Sequence, residues 1–245
     1  MIEMSIQDRY CNKPVAHGLS YATVADFVDS YENLHSLATA AADLKDVQRP
    51  WMLKAIVGNI PMGAKLCEIG AGEPLVADIL VRLGYQVTIV DPYDGSGNGP
   101  KAVEQFRLSY PSIRIIDKHF SSNLAELTPG EFDAVYSISV LEHLDAVAIR
   151  NVIDASEKFL RKGGRHIHAI DFVVAGFGAE YHRKTLNSFL SRFNITPHEV
   201  DILLKKAIES TETYFLSAES HNRWRGSIPY ESFPMRKVIS VQFIH

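Results

Sequence analysis

Between Lys65 and Ile170 the chain switches repeatedly between short runs of β-branched and apolar residues and longer stretches of helical periodicity. This alternation restricts the fold more than any other feature. The apolar runs are Lys65–Ile69, Gln86–Val90, Ser112–Ile116, Phe132–Ile138 and Arg165–Ile170. Helical patterns fill Pro74–Leu83, Lys101–Tyr110 and Ala146–Leu160. Strands separated by helices pair in parallel, because each crossover must return the chain to the same end of the sheet. After helical stretches near Thr185–Phe193 and Pro197–Ser210, two further strand-like runs, Thr213–Ser217 and Lys237–Ile244, have no helical pattern between them. Such a pair is expected to be antiparallel. The expectation is an α/β fold: a doubly wound sheet of about seven strands, mostly parallel, with an antiparallel C-terminal strand pair and helices on both faces.

The N-terminal part has another rhythm. Residues 1–20 show few periodic signals and read as a loose lead. From Tyr21, the residues Val24, Phe27, Val28, Tyr31, Leu34 and Leu37 recur at helical spacing. A second helix is expected to open at Pro50 and end near Pro61. The division that follows is a helical lead or cap over residues 1–60 and a main domain over 61–245.

Bulk properties narrow the function classes. The net charge of -4 argues against a general nucleic-acid coat, whose grip on phosphate is mainly electrostatic. Basic residues gather toward the end, from Arg183 to Lys237, but acidic ones are interspersed. Cys11 and Cys67 do not make a disulfide framework. Neither a signal-peptide pattern nor an apolar stretch of roughly 20 residues is visible, so a cytoplasmic protein without a membrane span is expected.

The chemistry concentrates at Glu68-Ile-Gly-Ala-Gly-Glu-Pro74, where a strand turns into a helix. Gly70 and Gly72 leave room for a ligand to touch backbone, and the following helix start offers free N–H groups. Pro74 suits a first helical position, where its missing N–H is not needed. A tight turn without a ligand is the competing reading of the glycines. Asp91 ends the next strand, 21 residues after Gly70, where a carboxylate accepts hydrogen bonds from both ribose hydroxyls; a turn-forming Asp before Pro92 is its plainer reading. Together the two features imply a bound nucleoside. A dinucleotide loop wants a third glycine where Leu75 stands, so that pattern fails.

With these residues in place the sequence resembles the class I S-adenosylmethionine-dependent methyltransferases. Glu68-x-Gly-x-Gly72 looks like their first motif, and Asp91 like their ribose-binding acid. Phe132-Asp-Ala-Val-Tyr-Ser-Ile-Ser-Val-Leu-Glu-His-Leu144 is similar to their fourth-strand motif, and Leu160-Arg-Lys-Gly-Gly164 to the turn before their fifth strand. The resemblance covers residues 65–171 and implies a Rossmann-like fold. It implies S-adenosylmethionine as cofactor, S-adenosylhomocysteine as its product, and a methyl acceptor as substrate. Glu68, Gly70, Ala71, Gly72, Pro74, Asp91 and Pro92 would form the cofactor side, with Asp117 toward the adenine and the backbone at Ile138 and Ser139 beside the methionine part. Two departures stand out. Pro74 replaces a frequent glycine, and Lys118-His-Phe-Ser-Ser122 is not the usual small-residue loop.

Methyl transfer to a hydroxyl or a protonated amine also needs a proton acceptor within hydrogen-bond reach. Candidates are His143, His168 and Asp171, each with a structural alternative; Asp171 is preferred because it ends a strand where open α/β sheets bind ligands. Tyr181 and His182 follow in what reads as a loop. His166 and His168 share one strand face, but no zinc spacing accompanies them, so no metal is expected. His221-Asn-Arg-Trp-Arg225 reads either as a recognition loop for phosphate, carboxylate or sugar, or as a surface loop packed by Trp224. The preferred function is methylation of a small molecule, foremost at oxygen of a hydroxylated metabolite or sugar. A protein or nucleic-acid substrate, a non-catalytic S-adenosylmethionine-binding module and a nicotinamide oxidoreductase are the alternatives.

Overall fold

The computed structural model describes residues 2–96, 99–101, 103–225 and 236–245, with the side chains of residues 2–4 and 223–225 outside that description. The chain opens with α1 (Ile2–Tyr10), β1 (Gly18–Tyr21), α2 (Val24–Asn33) and α3 (Lys45–Asn59). The central alternation is β2 (Lys65–Ile69), α4 (Leu75–Arg82), β3 (Gln86–Val90), α5 (Val103–Ser109), β4 (Arg114–Ile116), β5 (Phe132–Ile138), α6 (Ala146–Phe159) and β6 (Leu160–Ala175). It ends with α7 (Ala179–Leu190), α8 (Pro197–Glu209), α9 (Ala218–Arg225) and β7 (Lys237–Ile244).

Among the described residues, seven strands form one sheet in the order β1-β7-β6-β5-β2-β3-β4. Strands β2 to β6 run parallel, and β7 lies antiparallel between β6 and β1. Alternating strand residues feed two apolar layers. Leu66, Ala134, Tyr136 and Ile167 pack against α3 and α4 on one face; Cys67, Val135, Ile170 and Phe172 pack against α6, α7 and α8 on the other. The strand order reverses between β2 and β5, since the chain leaves β2 toward β3 and later returns to β5. Such a reversal opens a crevice at the carboxyl ends of the two strands.

Five local expectations are corrected. Residues 1–20 are not a loose lead: they hold α1 and β1, and β1 fills the outer edge of the sheet by pairing Gly18–Tyr21 with Val241–Ile244. Thr213–Ser217 is consequently not a strand, and makes only isolated bridges from Thr213 to Thr23 and from Phe215 to Ile239. The third helix begins at Lys45, with Pro50 inside it. Asp46 supplies the reason for the earlier start: its buried carboxylate accepts from Thr39 N at 2.8 Å and Asp43 N at 3.3 Å, tying the preceding loop to the first turn. Tyr181 and His182 belong to α7 rather than to a loop. Residues 218–225 form α9, and the side chains of Arg223, Trp224 and Arg225 lie outside the described residues. No helix among the described residues is long and apolar enough to cross a membrane.

Candidate active site

The crevice begins where β2 runs out. Gly70 and Gly72 adopt φ of 64° and 58°, the left-handed region in which a side chain is strained. At Gly70 space is short as well: a Cβ there would stand 2.7 Å from Val140 Cγ2, in the turn that follows β5. The two strand ends on either side of the reversal thus close on each other only because residue 70 has no side chain.

Asp91 and Tyr93 pin the glycine turn. Gly72 N donates to Asp91 Oδ2 at 2.9 Å, and Tyr93 N donates to Asp91 Oδ1 at 2.8 Å. Tyr93 O–H returns to Gly72 O at 3.0 Å, so both polar groups of Gly72 are held by the end of β3. Each carboxylate oxygen keeps acceptor capacity after one such bond. Pro92 sits between the two anchors, and Ala71 is half-buried beside them. Pro74 caps α4 rather than occupying its first turn, and its carbonyl accepts from Asp78 N at 2.9 Å. Tyr93 is the residue that sequence reasoning missed here; the Asp-Pro-Tyr run was its only signal.

Behind the turn lies Glu68, 3% exposed. Burial pushes its carboxyl up to about 7, against the opposing pull of the Tyr136 hydroxyl, which donates to Oε2 at 2.9 Å, and of the Arg49 charge. Asp117, at the end of β4, is exposed and paired with Arg107 Nη2 at 2.8 Å.

The other wall is built at the end of β5 and on the stretch of β6 just beyond it. Ile138 is half-buried, and Ser139 takes φ of 52°, a left-handed conformation that costs a non-glycine residue on the order of 1 kcal/mol. Ser139 N is fixed by Ala169 O at 2.8 Å. The Ser139 hydroxyl lies 2.6 Å from Asp171 Oδ1 and 2.9 Å from Gln48 Oε1. Gln48, 0% exposed on the first turns of α3, donates Nε2–H to the same Asp171 oxygen at 2.6 Å. Gln48 was not among the expected site residues; no local motif marks it.

Glu142 sits in the 3-10 turn Leu141–His143, beside a cavity with room for about one water, which is also lined by Ile170, Phe172 and His182. Both its carboxylate oxygens are buried without a hydrogen bond. Burial, and after it the charge of Asp171, raises this carboxyl well above the ordinary range. His143, the next residue, turns outward and is 51% exposed. His182 Nδ1 lies 3.2 Å from Asp171 O.

His168 is placed elsewhere. It is 1% exposed, bonded through Nδ1 to Ser137 Oγ at 2.8 Å, and enclosed by the Phe189 and Phe243 rings. Burial holds it well below its ordinary range, so it stays neutral. His166 shares that face, edge-on to Phe193 at 4.8 Å. The structure therefore brings Ser139, Asp171 and Glu142 together, and leaves His168 in the aromatic core.

Comparison with known proteins identifies the class. A family model described as a methyltransferase domain matches residues 67–168. The ubiquinone biosynthesis O-methyltransferase of Xanthomonas oryzae pv. oryzae (strain PXO99A) is 30% identical over 175 residues, 66% of this chain and 69% of that protein. Its namesake from Xanthomonas campestris pv. campestris (strain B100) is 32% identical over 157 residues, 59% of this chain, and the match spans 62% of that relative's length. The fold is shared with the phospholethanolamine N-methyltransferase 2 of Haemonchus contortus, solved with phosphomonomethylethanolamine and S-adenosylhomocysteine. The two align with a TM-score of 0.50 at 16% identity, over 91% of this chain and 59% of that one. This chain belongs to the class I S-adenosylmethionine-dependent methyltransferases, and the cofactor of that family is S-adenosylmethionine.

The residues present suit that cofactor. The turn at 70–72 offers backbone without side chains, Asp91 keeps acceptor capacity beside it, and the half-buried Ile138 and Ser139 face it from across the strand reversal.

Proposed function

We propose that this chain methylates a hydroxyl group of a small molecule. In this reading the backbone of Gly70, Ala71 and Gly72 and the carboxylate of Asp91 hold the nucleoside, with Pro74 and Pro92 shaping the turn around it. Asp117 serves the adenine side by exchanging its exposed bond to Arg107, and the backbone at Ile138 and Ser139 borders the methionine part. Glu68 acts from behind, where its bond to Tyr136 keeps β2 and β5 in register. S-adenosylmethionine supplies a methyl carbon on a sulfonium, already a good leaving group. What the protein must add is alignment of the acceptor and a place for its proton.

One observation carries the proposal: Asp171 stands within β6 just past the point where its pairing with β5 ends, and accepts from both Gln48 and Ser139, within the same cluster as the half-buried turn that borders the crevice. An anionic oxygen acceptor fits a hydroxyl that must lose its proton. The names of the Xanthomonas relatives, which are O-methyltransferases, support the same reading. His143 is left as an exposed residue near the mouth, and His168 has no part in proton transfer.

The test begins with thermal-shift measurements. S-adenosylhomocysteine at a hundred times its dissociation constant should stabilise the protein by about 3 kcal/mol by mass action, and NAD should have no effect. Transfer of labelled methyl is then measured to catechol-type phenols, sugars and amines. Incorporation confined to amines, or stabilisation by NAD alone, overturns the proposal.

A further inference from the structure

Gln48, Ser139 and Asp171 hold one proton fewer than their contacts can use. The amide of Gln48 is oriented by its neighbours: Nε2 faces Asp171 Oδ1 at 2.6 Å, and the reverse orientation would set an amide oxygen against a carboxylate. Ser139 Oγ then touches two acceptors, Asp171 Oδ1 at 2.6 Å and Gln48 Oε1 at 2.9 Å, but a hydroxyl has a single proton. With Asp171 ionised, that proton lies toward the carboxylate, and the contact to Gln48 has none. With Asp171 protonated, its O–H donates to Ser139 Oγ, the Ser139 proton turns to Gln48 Oε1, and both contacts are satisfied.

We propose that the Ser139 hydroxyl relays the acceptor's proton to Asp171, and that Gln48 is the positioning residue that aligns the two. The inference rests on the methylation reading above. In the step, the acceptor O–H bond breaks and its electron pair stays on oxygen to bond the methyl carbon. The proton passes to Ser139 Oγ while Ser139's own proton passes to Asp171 Oδ1. Asp171 becomes neutral as the sulfonium charge is lost, so the total charge of the site is unchanged. Solvent recovers the proton from Asp171 after the products leave.

The surroundings favour this route. Ser139 is half-buried at the crevice and is held in a left-handed backbone conformation, the kind of strain that persists where the surrounding structure over-determines it. Gln48 is fully buried, and Lys45 Nζ, which only donates, lies 3.4 Å from Oε1 and so holds the amide in the orientation that aims Nε2 at Asp171. Glu142 and the His182 ring are the other titratable groups beside Asp171. The relay gives Ser139 a role for its side chain in addition to that of its backbone.

The experiment compares Ser139→Ala and Ser139→Gly, the second because glycine accepts the left-handed backbone without strain. Both should bind S-adenosylhomocysteine within about threefold of the wild type by calorimetry, whereas kcat toward the hydroxylated acceptor falls about 10²-fold with KM little changed, as loss of a proton-transfer group requires. In the ligand-free protein, the carboxylate stretch assigned by the Asp171→Asn difference spectrum should shift in both variants and in Gln48→Leu. Rates in mixtures of light and heavy water should curve for the wild type, with two protons in flight, and become linear in Ser139→Gly. Unchanged kcat in both Ser139 variants, or an unmoved carboxylate band, overturns the relay alone. If the wild-type chain binds no S-adenosylhomocysteine, or methylates no hydroxyl, the methylation reading falls and the relay falls with it.

Discussion

Gln48 and Asp171, 123 positions apart, meet at 2.6 Å and join the N-terminal helix α3 to β6 just past the end of β5, where the acceptor is expected. On the proposed reading, the contact makes α3 part of the site. It also explains why the helix starts before Pro50: the turn that carries Gln48 is the one anchored by Asp46.

Replacing Gln48 with leucine keeps the volume and removes the amide. A hydrogen bond to a charged group contributes about 1.5–3 kcal/mol, and Asp171 loses the one that Gln48 donates. Urea unfolding of Gln48→Leu should therefore give a stability lower by about 2 kcal/mol. Affinity for S-adenosylhomocysteine should stay within about threefold, since the amide does not touch the glycine turn. A large loss of cofactor affinity would assign Gln48 to the cofactor instead.

Asp91 holds the glycine turn and is proposed to hold the ribose as well, and two variants separate the two roles. Asp91→Ala removes the acceptor for Gly72 N and Tyr93 N together with both proposed ribose bonds. Affinity for S-adenosylhomocysteine should drop about 10²-fold or more, and the melting temperature should fall even without ligand. Asp91→Asn retains one oxygen for the backbone and should recover most of the melting temperature but little of the affinity. Calorimetry and thermal unfolding check the two effects separately, and equal affinity in wild type and Asp91→Ala would remove the ribose assignment.

At Gly70 two penalties can be told apart. A side chain there meets Val140 Cγ2 at 2.7 Å and also suffers at φ of 64°. Gly70→Ala should destabilise by about 1–3 kcal/mol through overpacking and backbone strain together. Adding Val140→Ala relieves the contact alone. In a double-mutant cycle the second substitution should cost less in the Gly70→Ala background than in the wild type. Simple additivity would mean that the clash is absorbed elsewhere.

Much of this architecture was legible because it is local. The strand-helix alternation, the glycine turn and Asp91 each follow from backbone preferences that a short window reveals, and the relatives carry the same class. What escaped depends on distant partners. Nothing around Gly18–Tyr21 shows that it will take the sheet edge beside β7, because an edge strand is defined by its neighbour. Thr213–Ser217 has strand composition, but β1 takes the place beside β7, and composition alone cannot settle that competition. Gln48 and Glu142 gain meaning only from burial against residues far away in sequence. His168 looked like a candidate base because it sits on a functional strand, yet the pleat turns it toward Phe189 and Phe243.

Buried histidines and buried carboxyls should give the ligand-free protein opposing dependences of stability on pH, His168 acting in the sense of His166 and Glu142 in the sense of Glu68. His166 is held neutral, its folded value lowered to about 4 by burial and then by His245, against 6.5 when exposed. Between those values the unfolded chain binds the extra proton, so stability is lost as pH falls from 6.5 toward 4, by up to about 3 kcal/mol. Glu68 behaves in the opposite sense. Its folded value of about 7 exceeds the ordinary 4.5, so the folded protein binds the extra proton. Its contribution is complete below 4.5 and is lost as pH rises toward 7, again by up to about 3 kcal/mol. In the wild type the two slopes largely cancel between pH 4.5 and 6.5. His166→Phe should expose the falling slope, with stability dropping steadily as pH rises across that window. Glu68→Gln, whose amide oxygen still accepts from Tyr136, should expose the rising slope. Denaturant titrations at half-unit pH steps check both, and parallel curves for wild type and both variants would mean that neither group sets the stability of the folded chain.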